Sequence, residues 1–126
     1  MSKENYRGFR DLIVYQKSYK AALEIFEITK SFPADERYSL TDQIRRSSRS
    51  VCSNTSEAFR KRRYPKSFTA KLNDAEGEAA ETQTWLEFSL NCQYIDQKCF
   101  DELYVKYDNI IGKLVNMENH PEHWTV

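Results

Sequence analysis

The chain has 126 residues, enough for one domain with a buried core. Its 19 basic and 19 acidic side chains give a formal net charge of zero, so nothing pulls the whole molecule toward nucleic acid or an anionic membrane, and either would need a local patch. Few glycines and prolines disfavour a many-stranded fold, an odd cysteine count is no disulfide framework, and no apolar run approaches the roughly 20 residues of a membrane span.

The polar start, residues 1–11, lacks the apolar stretch of a signal peptide, and Cys52, Cys92 and Cys99 fit reduced thiols in a cytoplasmic setting. The first predicted helix covers about residues 9–31. Leu12, Tyr15, Tyr19, Leu23 and Phe26 recur on it at helical spacing and read as its core stripe. Pro33 ends it, because the residue before a proline is pushed out of the α region. The second covers about 40–63, with Ser39 as its expected N-cap and Leu40, Ile44, Val51 and Ala58 inward. Pro65 suits the start of the third helix, about 66–94, where Phe68, Leu72, Ala75, Ala79, Leu86 and Leu90 share a face. Asp96 is the expected N-cap of the fourth, about 97–118, which carries Phe100, Leu103, Tyr104, Tyr107, Ile110, Ile111, Leu114 and Val115. Residues 1–8 and 119–126 read as polar tails. Short connections make neighbours antiparallel, so the predicted fold is an all-α, up-down-up-down antiparallel four-helix bundle in a single domain.

Three surface features go beyond what a bundle needs. The first helix has a second apolar stripe of Val14, Ala21, Ile25 and Ile28, interrupted by Ser18. Either the core stripe is broad or this face meets another copy of the chain. Trp85 and Phe88, off the core face of the third helix, extend the candidate oligomer interface.

The second feature is charge segregation. Arg45, Arg46, Arg49, Arg60, Lys61, Arg62, Arg63, Lys66 and Lys71 face only Glu57 between residues 45 and 71. Arg45, Arg49, Arg60 and Arg63 fall within about 60° of one another on a helix. With Lys61 and Lys66 they form a candidate nucleic-acid-binding stripe. The third helix carries Asp74, Glu76, Glu78, Glu81 and Glu87 instead, so the two stripes can also pair with each other, within or between subunits. The third feature is a polar line of Gln43, Ser50, Asn54 and Glu57 on the second helix, a candidate structural hydrogen-bond network.

No catalytic constellation, cofactor motif or metal motif stands out. Gly8, Gly77 and Gly112 are isolated and make no phosphate loop. His120 and His123 are the only histidines and lack the closed ligand set of a structural zinc site. Cys52 lies near Arg49, which would lower its pKa, but its core-adjacent position favours a buried, inert thiol.

The runs Phe9-Arg10-Asp11-Leu12, Val14-Tyr15-Gln16-Lys17, Phe32-Pro33 with Glu36, Tyr38 and Leu40, and Gln43-Ile44-Arg45-Arg46 with Ser50, Asn54 and Glu57 follow one another in order. In this they resemble the bacterial four-helix-bundle proteins found as reading frames inside intervening sequences of large-subunit ribosomal RNA genes. The resemblance extends from Phe9 through the fourth helix. It departs at Ala58, where the family has glycine, and at Val51-Cys52, in place of its small-Pro step. It implies a homopentameric bundle of undefined biochemical role. A similar protein is the basic pentameric accessory factor of diversity-generating retroelements, which binds a reverse transcriptase and nucleic acid; the present chain is neutral. The expected function is therefore a non-enzymatic, cytoplasmic homo-oligomer without cofactors. It would bind RNA or a nucleic-acid-processing protein through the basic stripe. The alternative is a protein scaffold whose charged stripes pair between subunits.

Overall fold

A computed structural model describes residues 6–125. Four helices run in sequence: α1 (Ile13–Thr29), α2 (Leu40–Arg60), α3 (Pro65–Asn91) and α4 (Gln97–Asn119). Short 3-10 turns at Phe9–Asp11, Ala34–Glu36 and Pro121–His123 flank them. Each helix packs on the next and α4 returns to α1, which closes an all-α four-helix bundle. No helix among the described residues is long and apolar enough to cross a membrane.

Capping chemistry explains where the helices begin and end. Pro65 occupies the first turn of α3, where its missing N–H costs nothing. Asp96 caps α4 by accepting from the Cys99 amide at 2.8 Å, as the sequence predicts. Ser39 makes no side-chain cap on α2. Glu36 replaces it, with Oε1 accepting from the Leu40 amide at 3.3 Å while Oε2 accepts from the Tyr94 hydroxyl at 2.9 Å. One carboxylate thus joins the α1–α2 connection, the start of α2 and the end of α3.

The first three helices end earlier than the periodicity predicts, the second at Arg60, and the first also starts later. The expected first helix breaks at Leu12, whose ψ of 127° is extended, so residues 9–11 form a separate turn. α3 stops at Asn91 because Gln93 takes a left-handed φ of 66°. The Tyr94 amide then donates to Ser89 O and the Gln93 amide to Leu90 O, both at 2.9 Å, which satisfies the last carbonyls as a Schellman cap does.

The core joins Val51, Phe59, Phe68, Leu72, Leu86, Leu103, Tyr107, Ile110 and Leu114, with Val14, Ala21 and Ile25 from α1. The buried hydroxyls of Ser18 and Thr55 are satisfied by their own helices. Ser18 donates to Val14 O at 2.7 Å and Thr55 to Val51 O at 2.7 Å. Ser47 Oγ meets Thr82 Oγ1 at 2.8 Å, a buried polar link between α2 and α3.

Leu12, at the N-cap of α1, is buried in the core as expected, but along the helix itself the two faces are largely the reverse of the sequence expectation. Val14, Ala21 and Ile25 are fully inside the bundle, and Ile28 packs partly against it, so these residues do not form an exposed oligomer interface. Tyr19 and Leu23, expected in the core, are each 49% exposed. Small Ser18 and Ala21 explain the choice. They let α1 approach its neighbours closely, which large aromatic side chains on that face would prevent. The C-terminal residues are also more than a polar tail: Trp124 is half-buried against the core and lies 5.3 Å from the Tyr6 ring. Of the two expected tails, residues 1–5 and 126 lie outside the described residues.

Candidate functional site: the aromatic and basic face of α1 and α2

Turning α1 over places its bulky stripe at the surface. Phe9, Tyr15, Tyr19, Leu23 and Phe26 line a groove of about 560 Å³ closed on its far side by Arg49, Cys52, Ser53 and Ser56 of α2. Tyr15 packs edge-on to Phe9 at 5.0 Å and stacks on Tyr19 at 6.0 Å. Helical spacing alone produces this ladder, because residues 15, 19, 23 and 26 fall on one side.

Arginines border the groove. The guanidinium of Arg45 lies 4.8 Å from the Phe26 ring centre and that of Arg49 5.7 Å, with the Lys30 ammonium at 4.9 Å. Arg45 Nε also donates to Thr29 Oγ1 at 2.8 Å, which fixes its side chain against α1. Next to the groove is a second depression, lined by Arg37, Arg45, Arg46 and Arg49 with Thr41, Asp42, Ser50 and Ser53. Planar guanidinium groups over an aromatic face stay available to phosphates, carboxylates or stacked rings.

The basic stripe expected from the sequence divides into two groups. Arg45 and Arg49 belong to the groove. Arg60, Lys61, Arg63 and Lys66 gather at the α2–α3 turn, about 16 Å further along α2 at 1.5 Å per residue. Two further bases, Arg46 and Lys71, are neutralised within the chain. Arg46 pairs with Glu81 at 3.0 Å and Glu78 at 4.0 Å, and Lys71 pairs with Glu57 at 2.9 Å. Arg62 lies over Phe59 at 3.7 Å. Arg60, Lys61, Arg63 and Lys66 are exposed and make no ion pair among the described residues, although Lys61 helps to hold the Glu57 carboxyl below its usual range.

The polar line on α2 does not form a connected network. Asn54 Nδ2 donates to Ser50 O at 3.0 Å, Gln43 Oε1 accepts from Arg46 at 3.3 Å, and Glu57 turns to Lys71. Gln43, Asn54 and Glu57 each find a local partner. Hydrogen bonding and the charge of Lys71 lower the Glu57 pKa, as expected of a surface ion pair and not of a catalytic acid. Burial pushes the Cys52 thiol up to about 11, which disfavours the nucleophilic thiolate.

On α3, Trp85 and Phe88 lie 5.9 Å apart. Phe88 is 53% exposed, while Trp85 is partly buried against the core. The buried indole N–H of Trp85 has no partner among the described residues. Only Phe88 of this pair therefore offers a large free apolar surface. Tyr19 and Leu23 are surface residues that the sequence pattern places in the core. Their signal is present as the stripe opposite Val14–Ile28, but the pattern does not say which of the two stripes faces inward.

Residues 10–116 match the family described as 23S rRNA-intervening sequence protein. A solved structure of unknown function, from the S23 ribosomal protein family of Bacteroides thetaiotaomicron, is similar at 28% identity and a TM-score of 0.77. The likeness covers 84% of this chain and 98% of that one. No curated protein matches. The match over the greater part of the chain, together with the common fold, makes this protein a member of the 23S rRNA-intervening sequence protein family.

Proposed function

We propose that the chain is a non-enzymatic, cytoplasmic binding protein that assembles with copies of itself and presents the basic α2–α3 turn to the phosphates of an RNA or an RNA-bound partner. The observation that carries the RNA part is the sorting of charge. Arg46 and Lys71 are neutralised by acids of α3 and α2, whereas Arg60, Lys61, Arg63 and Lys66 have no ion-pair partner among the described residues. Their spacing at one end of a rigid helix suits a run of phosphates. Assembly through the groove, with five copies as the family resemblance implies, would repeat this cluster around a ring.

The test is binding of a structured RNA at several salt concentrations, with the wild type compared with Arg60→Glu/Arg63→Glu. Each phosphate that the variant no longer neutralises should reduce the slope of log affinity against log salt by about 0.7–0.9. No binding of the wild type at low salt rejects the RNA reading. A second reading, a protein scaffold without nucleic acid, is favoured by the half-exposed Tyr19 and Leu23. Aromatic and arginine side chains together are the usual anchors of protein interfaces. It predicts intact assembly with no salt-dependent RNA binding.

A further inference from the structure

Both histidines of the chain lie at the 3-10 turn that follows α4. Glu122 sits between them in sequence and in space. Its Oε1 is 3.6 Å from His120 Nδ1 and 3.7 Å from His123 Nε2. The two imidazole rings stack 5.2 Å apart at an angle of 10°. One donor atom from each of the three residues lies within 4.8 Å of the other two, and all three side chains are exposed.

The backbone beneath them is well held. The His123 amide donates to His120 O at 3.0 Å, and the Trp124 and Thr125 amides donate to Pro121 O at 3.0 and 2.9 Å. Pro121 fixes its own φ. Trp124, half-buried against the core and the Tyr6 ring, anchors the turn to the bundle. The donors therefore start from a fixed frame, while their exposed side chains can change rotamer.

Donor atoms bound to one zinc ion at about 2.0–2.1 Å lie roughly 3.3 Å apart in a tetrahedron. The two histidine–glutamate separations are already close to that, and side-chain rotation can bring the imidazoles together. We propose that His120, Glu122 and His123 bind one divalent transition-metal ion of the zinc class in an open surface site, with water completing the coordination. Two imidazoles and a carboxylate favour zinc, nickel or copper over magnesium. The site is separate from the α1–α2 face and does not depend on the function proposed for it. A bound ion would tie the end of α4 to the turn that follows.

Zinc titration of the full chain, followed through the imidazole nitrogen resonances, tests this directly, because His120 and His123 account for every histidine signal. Both rings should shift together and saturate at one zinc per chain, with a micromolar dissociation constant. Magnesium should move neither. His123→Ala should weaken zinc binding at His120 by at least about tenfold, since loss of even an outer-shell partner costs about 10–100-fold. Glu122→Gln should weaken binding at both rings while leaving the helical circular dichroism unchanged. Independent shifts of the two rings, saturation only at millimolar zinc, or an unchanged affinity at His120 in His123→Ala would overturn the site.

Discussion

Among single residues, the buried polar groups are the most informative. Tyr107 is fully buried in the core, and its hydroxyl has no hydrogen-bond partner among the described residues. Burial pushes its pKa well above the usual tyrosine range. Removing an unpaired buried hydroxyl should help, so Tyr107→Phe is expected to raise unfolding stability by about 1 kcal/mol in urea titration. Glu118 gives a pH signature. Its Oε1 accepts from Asn73 at 3.2 Å, while burial and the hydrogen-bonded Glu76 carboxyl raise its pKa to about 7 from 4.5. A carboxyl raised in the folded state favours the protonated form. Its penalty is absent below about pH 4.5, grows through about pH 7 and is complete above that. Glu118→Gln should therefore stabilise the protein at pH 8 and flatten the pH dependence of its melting temperature across that window.

Among the elements, helix periodicity and proline placement make all four helices legible in the sequence. Pro65 and Asp96 mark the starts of α3 and α4 as expected. Other ends are illegible because unusual residues make them. Gln93 supplies the left-handed C-terminal position where glycine is the normal signal. Gln93→Gly should stabilise the fold by about 1 kcal/mol, the approximate cost of holding a non-glycine residue there, as read from urea unfolding. Ser39 offers a cap in the sequence, but Glu36 from the preceding turn reaches the Leu40 amide instead. The inversion of α1 has a different cause. Both of its stripes are apolar and both are helical in period, so pattern alone cannot choose between them. Close packing decides it in favour of the smaller residues. The same ambiguity conceals the candidate site: Arg45 and Arg49 are visible as cations, but their position over Phe26 depends on which way α1 faces.

For the molecule as a whole, the inversion supports a role in binding. A bundle of this length can bury one face of each helix. Here α1 buries the face with Ser18 and Ala21 and leaves a ladder of Phe9, Tyr15, Tyr19, Leu23 and Phe26 beside bordering arginines. Such a groove is costly to expose in a monomer and is suited to a second copy of the chain. The basic α2–α3 turn lies about 16 Å further along α2. We expect the groove to hold the assembly together. Light scattering after size exclusion decides this, with wild type, Tyr19→Glu/Leu23→Glu and Ile25→Glu compared. The wild type should be oligomeric, Tyr19→Glu/Leu23→Glu should be folded and of lower mass, and Ile25→Glu should be unfolded, since Ile25 is fully buried. A monomeric wild type, or a Tyr19→Glu/Leu23→Glu variant that keeps the wild-type mass, would refute it.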